Sequence, residues 1–147
     1  MLGPQGVKGV IAFYPPIDFT KPLEAPEKCL IGGIKLPLFA RKLFDNSYIL
    51  PSQDKADPRL SPIFAPTESF PKRVYLVCGN ADVLHDPAEK LVQRLKEAGH
   101  NGAEFVGLAY MGHGFDLVST EGSEAEAKKH QVYDGAVDLI NKAIGEQ

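Results

Sequence analysis

The sequence predicts an α/β fold in which a mostly parallel sheet forms the middle layer of a three-layer sandwich. Three short apolar runs have the composition of buried strands, and amphipathic helical segments follow the second and third of them. Strands that alternate with helices favour parallel pairing with right-handed crossovers. With 147 residues, the chain is expected to form a single domain over residues 1–147.

The first predicted strand is the apolar run from Val7 to Tyr14, which we expect to be buried on both faces. Pro15 and Pro16 should end it, because proline cannot donate to a strand ladder. The segment 17–71 is irregular and rich in proline, with one expected helix from about Pro37 to Tyr48. A long connection of this kind usually lines a site.

The remaining strands are predicted where apolar runs resume, at Arg73 to Cys78 and at Glu104 to Leu108. A helix from about Pro87 to Ala98 should connect them, and a last helix should run from about Glu124 to Ile144. The inward side of that last helix is expected to contain Val132, Ala136, Leu139, Ile140 and Ala143.

The start of the connecting helix carries several N-terminal signals. Asp86 is a suitable N-cap, Pro87 suits the first helical position, and Glu89 would complete a capping box. Gly99 is the expected stop, because glycine readily adopts the left-handed conformation that ends helices.

Composition argues against several classes of function. The net charge is −3 and the basic residues are scattered singly, so no nucleic-acid partner is expected. No apolar run approaches the length of a membrane span, and the N-terminus does not resemble a signal peptide. The two cysteines, Cys29 and Cys78, favour a reducing, cytoplasmic setting. The four histidines are too dispersed to form a metal motif.

Two polar residues come directly after the second and third predicted strands. Asp82 lies in the segment GNADVLHD (79–86), and His113 lies in MGHGF (111–115). Functional residues of parallel sheets lie beyond the carboxyl ends of the strands, so we expect both at the same edge. A carboxylate that accepts from one imidazole nitrogen leaves the other free to take a proton from a hydroxyl. We therefore predict Asp82 and His113 as a catalytic pair.

Asp86 and Asp116 are the alternatives for the acidic role. Asp86 is better explained as a helix cap, and Asp116 follows His113 too closely in sequence to position its ring. A surface-loop role is the ordinary explanation for a lone histidine or aspartate. The occurrence of the pair on successive strand ends favours the functional interpretation.

Several motifs, taken in their order, carry a family resemblance: FYPP (13–16) with Asp18 following, DPRLSP (57–62), PKRVYLV (71–77), GNADVLHD (79–86) and YMGHGF (110–115). They resemble the hormone-sensitive-lipase-like branch of the α/β-hydrolases, in which an S-P turn precedes the strand carrying the acid. The acid opens a D-x-L-x-D segment there, and the base lies in an H-G-F turn. Val83 departs from the proline that the family often has at its position.

The resemblance implies a partial α/β-hydrolase fold with the last three strands of the sheet and part of a cap insertion over residues 17–71. It also implies hydrolysis of small carboxylic esters by a Ser-His-Asp mechanism without a cofactor, in which Asp82 orients His113 and His113 is the general base. The oxyanion loop and the G-x-S-x-G elbow of the family would both precede the first strand. The chain is therefore expected to supply the acid and base but not the nucleophile, and to be inactive alone. No strand-elbow-helix context surrounds its serines: Ser47, Ser52, Ser61, Ser69, Ser119 and Ser123.

Other interpretations stay open. The prolyl-oligopeptidase-like and dienelactone-hydrolase-like branches share parts of these motifs. A non-enzymatic alternative is a truncated module that acts by association, because its first strand would be an open sheet edge. The partner would be a separate N-terminal half or a second copy, which favours a homo-oligomer. Apolar residues of the insertion could contact an acyl chain or pack against the missing half: Phe19, Leu36, Leu38, Phe39, Phe44 and Phe64.

Overall fold

The structure is a computed structural model that describes residues 6–21, 31–34 and 38–145. Cys29, Leu36, Pro37 and the side chain of Leu38 lie outside the described part. The elements within it are, in chain order, β1 (Val10–Phe13), α1 (Leu38–Tyr48), two short 3₁₀ helices (Pro62–Phe64 and Thr67–Ser69), β2 (Val74–Gly79), α2 (His85–Glu97), β3 (Ala103–Leu108) and α3 (Glu124–Gly145).

The strands form a parallel sheet with the order β1-β2-β3, so that β2 is central. In this register Val10 lies opposite Val74, and Val74 lies opposite Ala103. Every residue of β2 is buried. The parallel α/β arrangement predicted from the sequence is confirmed.

Alternate residues of β2 belong to two different apolar clusters. Val74 and Leu76 pack with buried residues of α2, whereas Tyr75 and Val77 pack with buried residues of α3. Successive side chains of a strand point to opposite faces. The two helices therefore cover opposite faces of the sheet, which gives the three expected layers.

The prediction that the run from Val7 to Tyr14 is buried on both faces is wrong. The strand spans only Val10–Phe13, Val10 is 38% exposed, and the other three residues are half-buried. Within the described residues β1 pairs with β2 alone, and both helical clusters centre on β2. A continuous apolar run shows that a strand can be buried, but it does not indicate how central the strand is.

The predicted cap of α2 is also wrong. The helix begins at His85, Leu84 occupies the N-cap position without a side-chain cap bond, and Asp86 lies in the first turn. The turn is organised by Asp82 instead, whose Oδ1 accepts from the Leu84 amide at 3.1 Å and whose carbonyl accepts from the His85 amide at 3.2 Å. At the other end Gly99 has φ 86°, as expected for a helix stop.

The inward side of α3 is partly as predicted. Val132 and Ala136 are buried, and Leu139 packs at the edge of the same cluster. Ile140, by contrast, is 45% exposed, and Ala143 is half-buried. Among the described residues, no helix has both the length and the hydropathy that a membrane crossing requires.

The long connection between β1 and β2 presents apolar side chains at its surface. Phe19 stacks on Tyr48 with ring centroids 6.1 Å apart, which fastens the start of the connection to the end of α1. The description of residues 17–71 as a cap-like insertion stays a prediction. The exposed apolar side chains of this segment include Phe39, Leu43, Phe44, Tyr48, Leu50 and Phe64.

Candidate active site

Asp82 and His113 lie in the loops that follow two adjacent strands, β2 and β3, as the sequence predicts. Nδ1 of His113 is 2.8 Å from Oδ2 of Asp82. Gly114 next to the histidine has φ 63°, a left-handed backbone conformation that glycine adopts readily. The structure thus brings the two predicted site residues into hydrogen-bonding contact.

The two partners differ strongly in exposure. The Asp82 side chain is 3% exposed, while that of His113 is 34% exposed. The second carboxylate oxygen of Asp82 accepts from the Leu84 amide at 3.1 Å. With both oxygens engaged, the carboxylate is held in one orientation, and the more accessible imidazole is the group that a reactant can approach.

The hydrogen bond determines which nitrogen of His113 carries the proton. An ionised carboxylate can only accept, so Nδ1 must be the donor towards Asp82. In the neutral imidazole the lone pair is then on Nε2. This tautomer can take a proton at Nε2, and Asp82 would stabilise the imidazolium that results.

The loops that contain Asp82 and His113 are bonded to each other through their backbones. The Ala81 amide donates to the Met111 carbonyl at 3.0 Å, and the Tyr110 amide donates to Oδ1 of Asn80 at 2.8 Å. A Cβ at Gly79 would lie 2.0 Å from the Met111 carbonyl oxygen. The loops therefore approach more closely than any residue with a side chain would allow, which explains the glycine that opens the first motif.

A short segment of the long connection lies across the loop of His113. The Ile34 amide donates to the His113 carbonyl at 2.7 Å, and the Gly112 amide donates to the Gly32 carbonyl at 2.8 Å. Gly33 has φ 93°, and a Cβ there would be 2.7 Å from the Gly112 carbonyl. Sequence reasoning missed this contact, for which the adjacent glycines, Gly32 and Gly33, are the available signal.

Asp116 is buried and has partners of its own. Its Oδ1 accepts from the Tyr14 hydroxyl at 2.7 Å, and its Oδ2 accepts from the Tyr133 hydroxyl at 2.6 Å. Burial opposes ionisation of the carboxyl, but the hydrogen bonds from Tyr133 and Tyr14 outweigh it and lower the pKa of Asp116 below its ordinary value. Asp116 is thus occupied elsewhere, which agrees with its rejection as the acid partner of His113.

Tyr14 is a residue beside the site that sequence reasoning missed. Its ring centroid lies 4.9 Å from that of His113. Burial, followed by the hydrogen bond to Asp116 and the negative charge of that carboxylate, raises the pKa of the Tyr14 phenol far above its ordinary value. Nothing local in the sequence distinguishes this tyrosine from an ordinary residue at a strand end.

The hydroxyl of Ser61 belongs to a turn. It donates to the Lys55 carbonyl at 2.6 Å and accepts from the Phe19 amide at 2.9 Å, and the residue is fully buried. These bonds agree with its interpretation as part of the S-P turn. Ser61 therefore links two parts of the connection and is not available as a nucleophile for His113.

One group of side chains in the described part of the chain could gather around a cation. Donor atoms of His85, Asp86 and Glu89 lie within 4.8 Å of one another at the start of α2. His85 Nδ1 and Asp86 Oδ1 are already 2.8 Å apart and bonded to each other. Both carboxylates are exposed, and surface groups of this kind commonly occur without an ion.

A sequence model described as the alpha/beta hydrolase fold matches residues 2–117 of the chain. A comparison with curated protein sequences gives no significant match. The family match covers β2, β3 and the loops that follow them, which contain Asp82 and His113.

Solved structures similar to this one include several esterases. Brefeldin A esterase, a bacterial homologue of human hormone-sensitive lipase, has a TM-score of 0.67 at 21% identity over 95% of this chain and 40% of its own. Carboxyl esterase 2 of the mycorrhizal fungus Tuber melanosporum gives 0.60 at 22% identity, over 86% of this chain and 43% of its own. A hyperthermophilic esterase from the archaeon Pyrobaculum calidifontis gives 0.56 at 22% identity, over 90% and 43%. The chain spans about two fifths of the length of each.

Proposed function

The chain belongs to the α/β-hydrolase fold family, and we propose that it supplies the acid and the base of a carboxylic ester hydrolase with a Ser-His-Asp mechanism. The observation that carries the proposal is the 2.8 Å hydrogen bond between Asp82 and His113, which leaves Nε2 of the imidazole with its lone pair. The similarity to solved esterases supports the same reaction class.

In the proposed mechanism the nucleophile is a serine that is not among the serines of this chain. Its hydroxyl attacks the ester carbonyl while Nε2 of His113 takes the hydroxyl proton. Asp82 stabilises the imidazolium, because its buried carboxylate faces the protonated Nδ1. The imidazolium then gives its proton to the departing alcohol, which leaves an acyl-serine. A water molecule, deprotonated in turn by His113, releases the carboxylic acid and restores the serine.

The nucleophile and the oxyanion donors are expected from sequence preceding β1. None of the serines in the chain has a G-x-S-x-G context. We therefore expect the 147-residue chain by itself to lack esterase activity. The predicted cytoplasmic setting also stays part of the proposal, and the buried, free thiol of Cys78 is compatible with it.

The test is an aryl-ester hydrolysis assay on a polypeptide extended at its N-terminus through the expected elbow. His113→Ala should lower kcat by about 10³-fold or more, and Asp82→Asn should lower it by a comparable factor because the tautomer is no longer controlled. His130→Ala, at an exposed histidine on α3, is the matched control and should retain full activity. Equal activity of His113→Ala and the unsubstituted protein would remove His113 from the mechanism.

A second candidate function is association through β1, which the exposed Val7 and Val10 favour. Within the described residues the outer edge of β1 has no strand partner, and such an edge is a template for pairing. Sedimentation of the chain should then show dimers, and Val10→Lys should shift them to monomers because a charge opposes edge pairing. A stable monomer at high concentration contradicts this candidate.

A further inference from the structure

Tyr14 contacts the loop of His113 with both its ring and its hydroxyl. Its ring centroid lies 4.9 Å from that of the imidazole at an interplanar angle of 47°, and 5.8 Å from that of Phe115 in an edge-to-face arrangement. Its hydroxyl donates to Oδ1 of Asp116 at 2.7 Å. A single side chain from the end of β1 thus touches three residues of the loop that follows β3.

The backbone of Tyr14 is held in an unfavourable conformation. Its φ of 54° lies in the left-handed region, which bulky residues rarely adopt. Such a conformation persists only where the surroundings hold it. Here the Tyr14 amide donates to the Val77 carbonyl at 2.9 Å, which fastens the backbone to β2 while the side chain reaches past β2 to the loop of β3.

Asp116 anchors the phenol and also changes its electronics. Both of its carboxylate oxygens accept from tyrosine hydroxyls, those of Tyr14 and Tyr133. Hydrogen bonding to a negative charge increases the electron density of the phenol. A richer ring attracts a cation more strongly, and a cation within about 6 Å of a ring centroid is close enough to benefit. An imidazolium at His113 would be such a cation.

We propose that Tyr14 is a positioning residue for His113, which holds the imidazole on Asp82 and stabilises the imidazolium formed during ester hydrolysis. The catalytic part of this inference rests on the proposed function. The holding of the imidazole is a property of the chain by itself and can be measured without any reaction.

The first experiment measures, by NMR on the 147-residue chain, how fast the Nδ1 proton of His113 exchanges with water. Tyr14→Leu removes the ring, Tyr14→Phe removes only the hydroxyl, and Asp82→Asn identifies the resonance. The matched control is Tyr75→Phe, because the Tyr75 hydroxyl is also buried but donates to the Val132 carbonyl on α3.

Exchange should accelerate about tenfold in Tyr14→Leu and about threefold in Tyr14→Phe, with no change in the control. If Tyr14 only fills space, Tyr14→Phe should exchange the Nδ1 proton of His113 as fast as the unsubstituted chain. That result overturns the proposal. Should Tyr14→Leu fail to fold, Tyr14→Phe decides the question.

The second experiment separates this inference from the proposed function. In the N-terminally extended polypeptide, Tyr14→Phe should lower kcat for an aryl ester about threefold with KM unchanged, because the hydroxyl donates to Asp116 and acts on His113 through the ring, not on the bound ester. A lower kcat with an equally altered KM, or an unchanged kcat, contradicts the catalytic role of Tyr14. Absence of hydrolysis in the unsubstituted polypeptide would overturn the esterase proposal, while proton exchange would still decide whether Tyr14 holds His113.

Discussion

Strands β1 and β2 have similar apolar sequences but very different surroundings. Val10 and Val74 lie opposite each other in the sheet, yet Val10 is 38% exposed and Val74 is 1% exposed. The central strand has a neighbour on each edge and a helical cluster on each face, whereas β1 pairs along one edge of the described sheet. The comparison shows that an apolar run indicates only that a strand can be buried. The position of the strand in the sheet decides how much of it is buried.

The comparison extends to the ends of the two strands. After β2 the chain makes a loop whose residues are bonded to the loop of His113, and Asp82 lies in it. After β1, Tyr14 has a left-handed backbone conformation, and its hydroxyl donates to Asp116. The loop after the well-covered strand thus contains Asp82, and the poorly covered strand contributes Tyr14, whose ring lies beside His113.

The largest expected difference between the strands concerns their glycines. Gly79→Ala at the end of β2 should lower the free energy of unfolding by about 3 kcal/mol or more, because the new Cβ would lie 2.0 Å from the Met111 carbonyl oxygen. Gly9→Ala beside β1 should change the free energy of unfolding by less than about 1 kcal/mol, because the nearest atoms to the new Cβ are side-chain atoms at 3.2 Å. The lower conformational entropy of the unfolded chain with alanine offsets part of that crowding. Urea unfolding of both variants measures the difference, and equal costs would contradict the close approach of the two site loops.

The next difference compares the paired valines directly. Val74→Ala should cost about 2 kcal/mol because it removes fully buried methyl groups, and Val10→Ala should cost less than about 1 kcal/mol. The same urea unfolding measures both. In the N-terminally extended polypeptide the cost of Val10→Ala should rise if another strand covers β1. A cost that stays small there would show that β1 remains at an edge.

The smallest effect tests the anchor at the end of β1. Asp116→Asn should cost about 1 kcal/mol at neutral pH, because a neutral acceptor replaces a carboxylate that binds two hydroxyls. The pKa of Asp116 is lowered in the folded state, so its contribution is present above the ordinary carboxyl pKa and is lost as pH falls through the folded value.

The difference in unfolding free energy between the unsubstituted chain and Asp116→Asn should therefore narrow below about pH 4. Asp134→Asn, on the exposed surface of α3, is the control for removal of a charge. A difference that is constant between neutral pH and pH 3 would show that the buried carboxylate does not stabilise the fold through its charge.

Much of the fold and the contact between Asp82 and His113 could be predicted from the sequence. Strand and helix types follow from patterns a few residues long, and the parallel order follows from their alternation. The start of α2 could not be predicted, because Asp82 organises that turn while also bonding to His113. Asp86 had the stronger local signal for a cap, but the amides of Leu84 and His85 donate to Asp82 instead.

The sequence by itself determined the elements, their order and the expectation that Asp82 and His113 share one edge of the sheet. Only the tertiary structure decided the exposure of β1, the segment that crosses the loop of His113, and the contact of Tyr14 with that loop. The Tyr14 hydroxyl and its acceptor Asp116 are 102 residues apart in the chain. Local periodicity carries no information about partners at such a distance, because they meet only when β1, β2 and β3 are brought side by side.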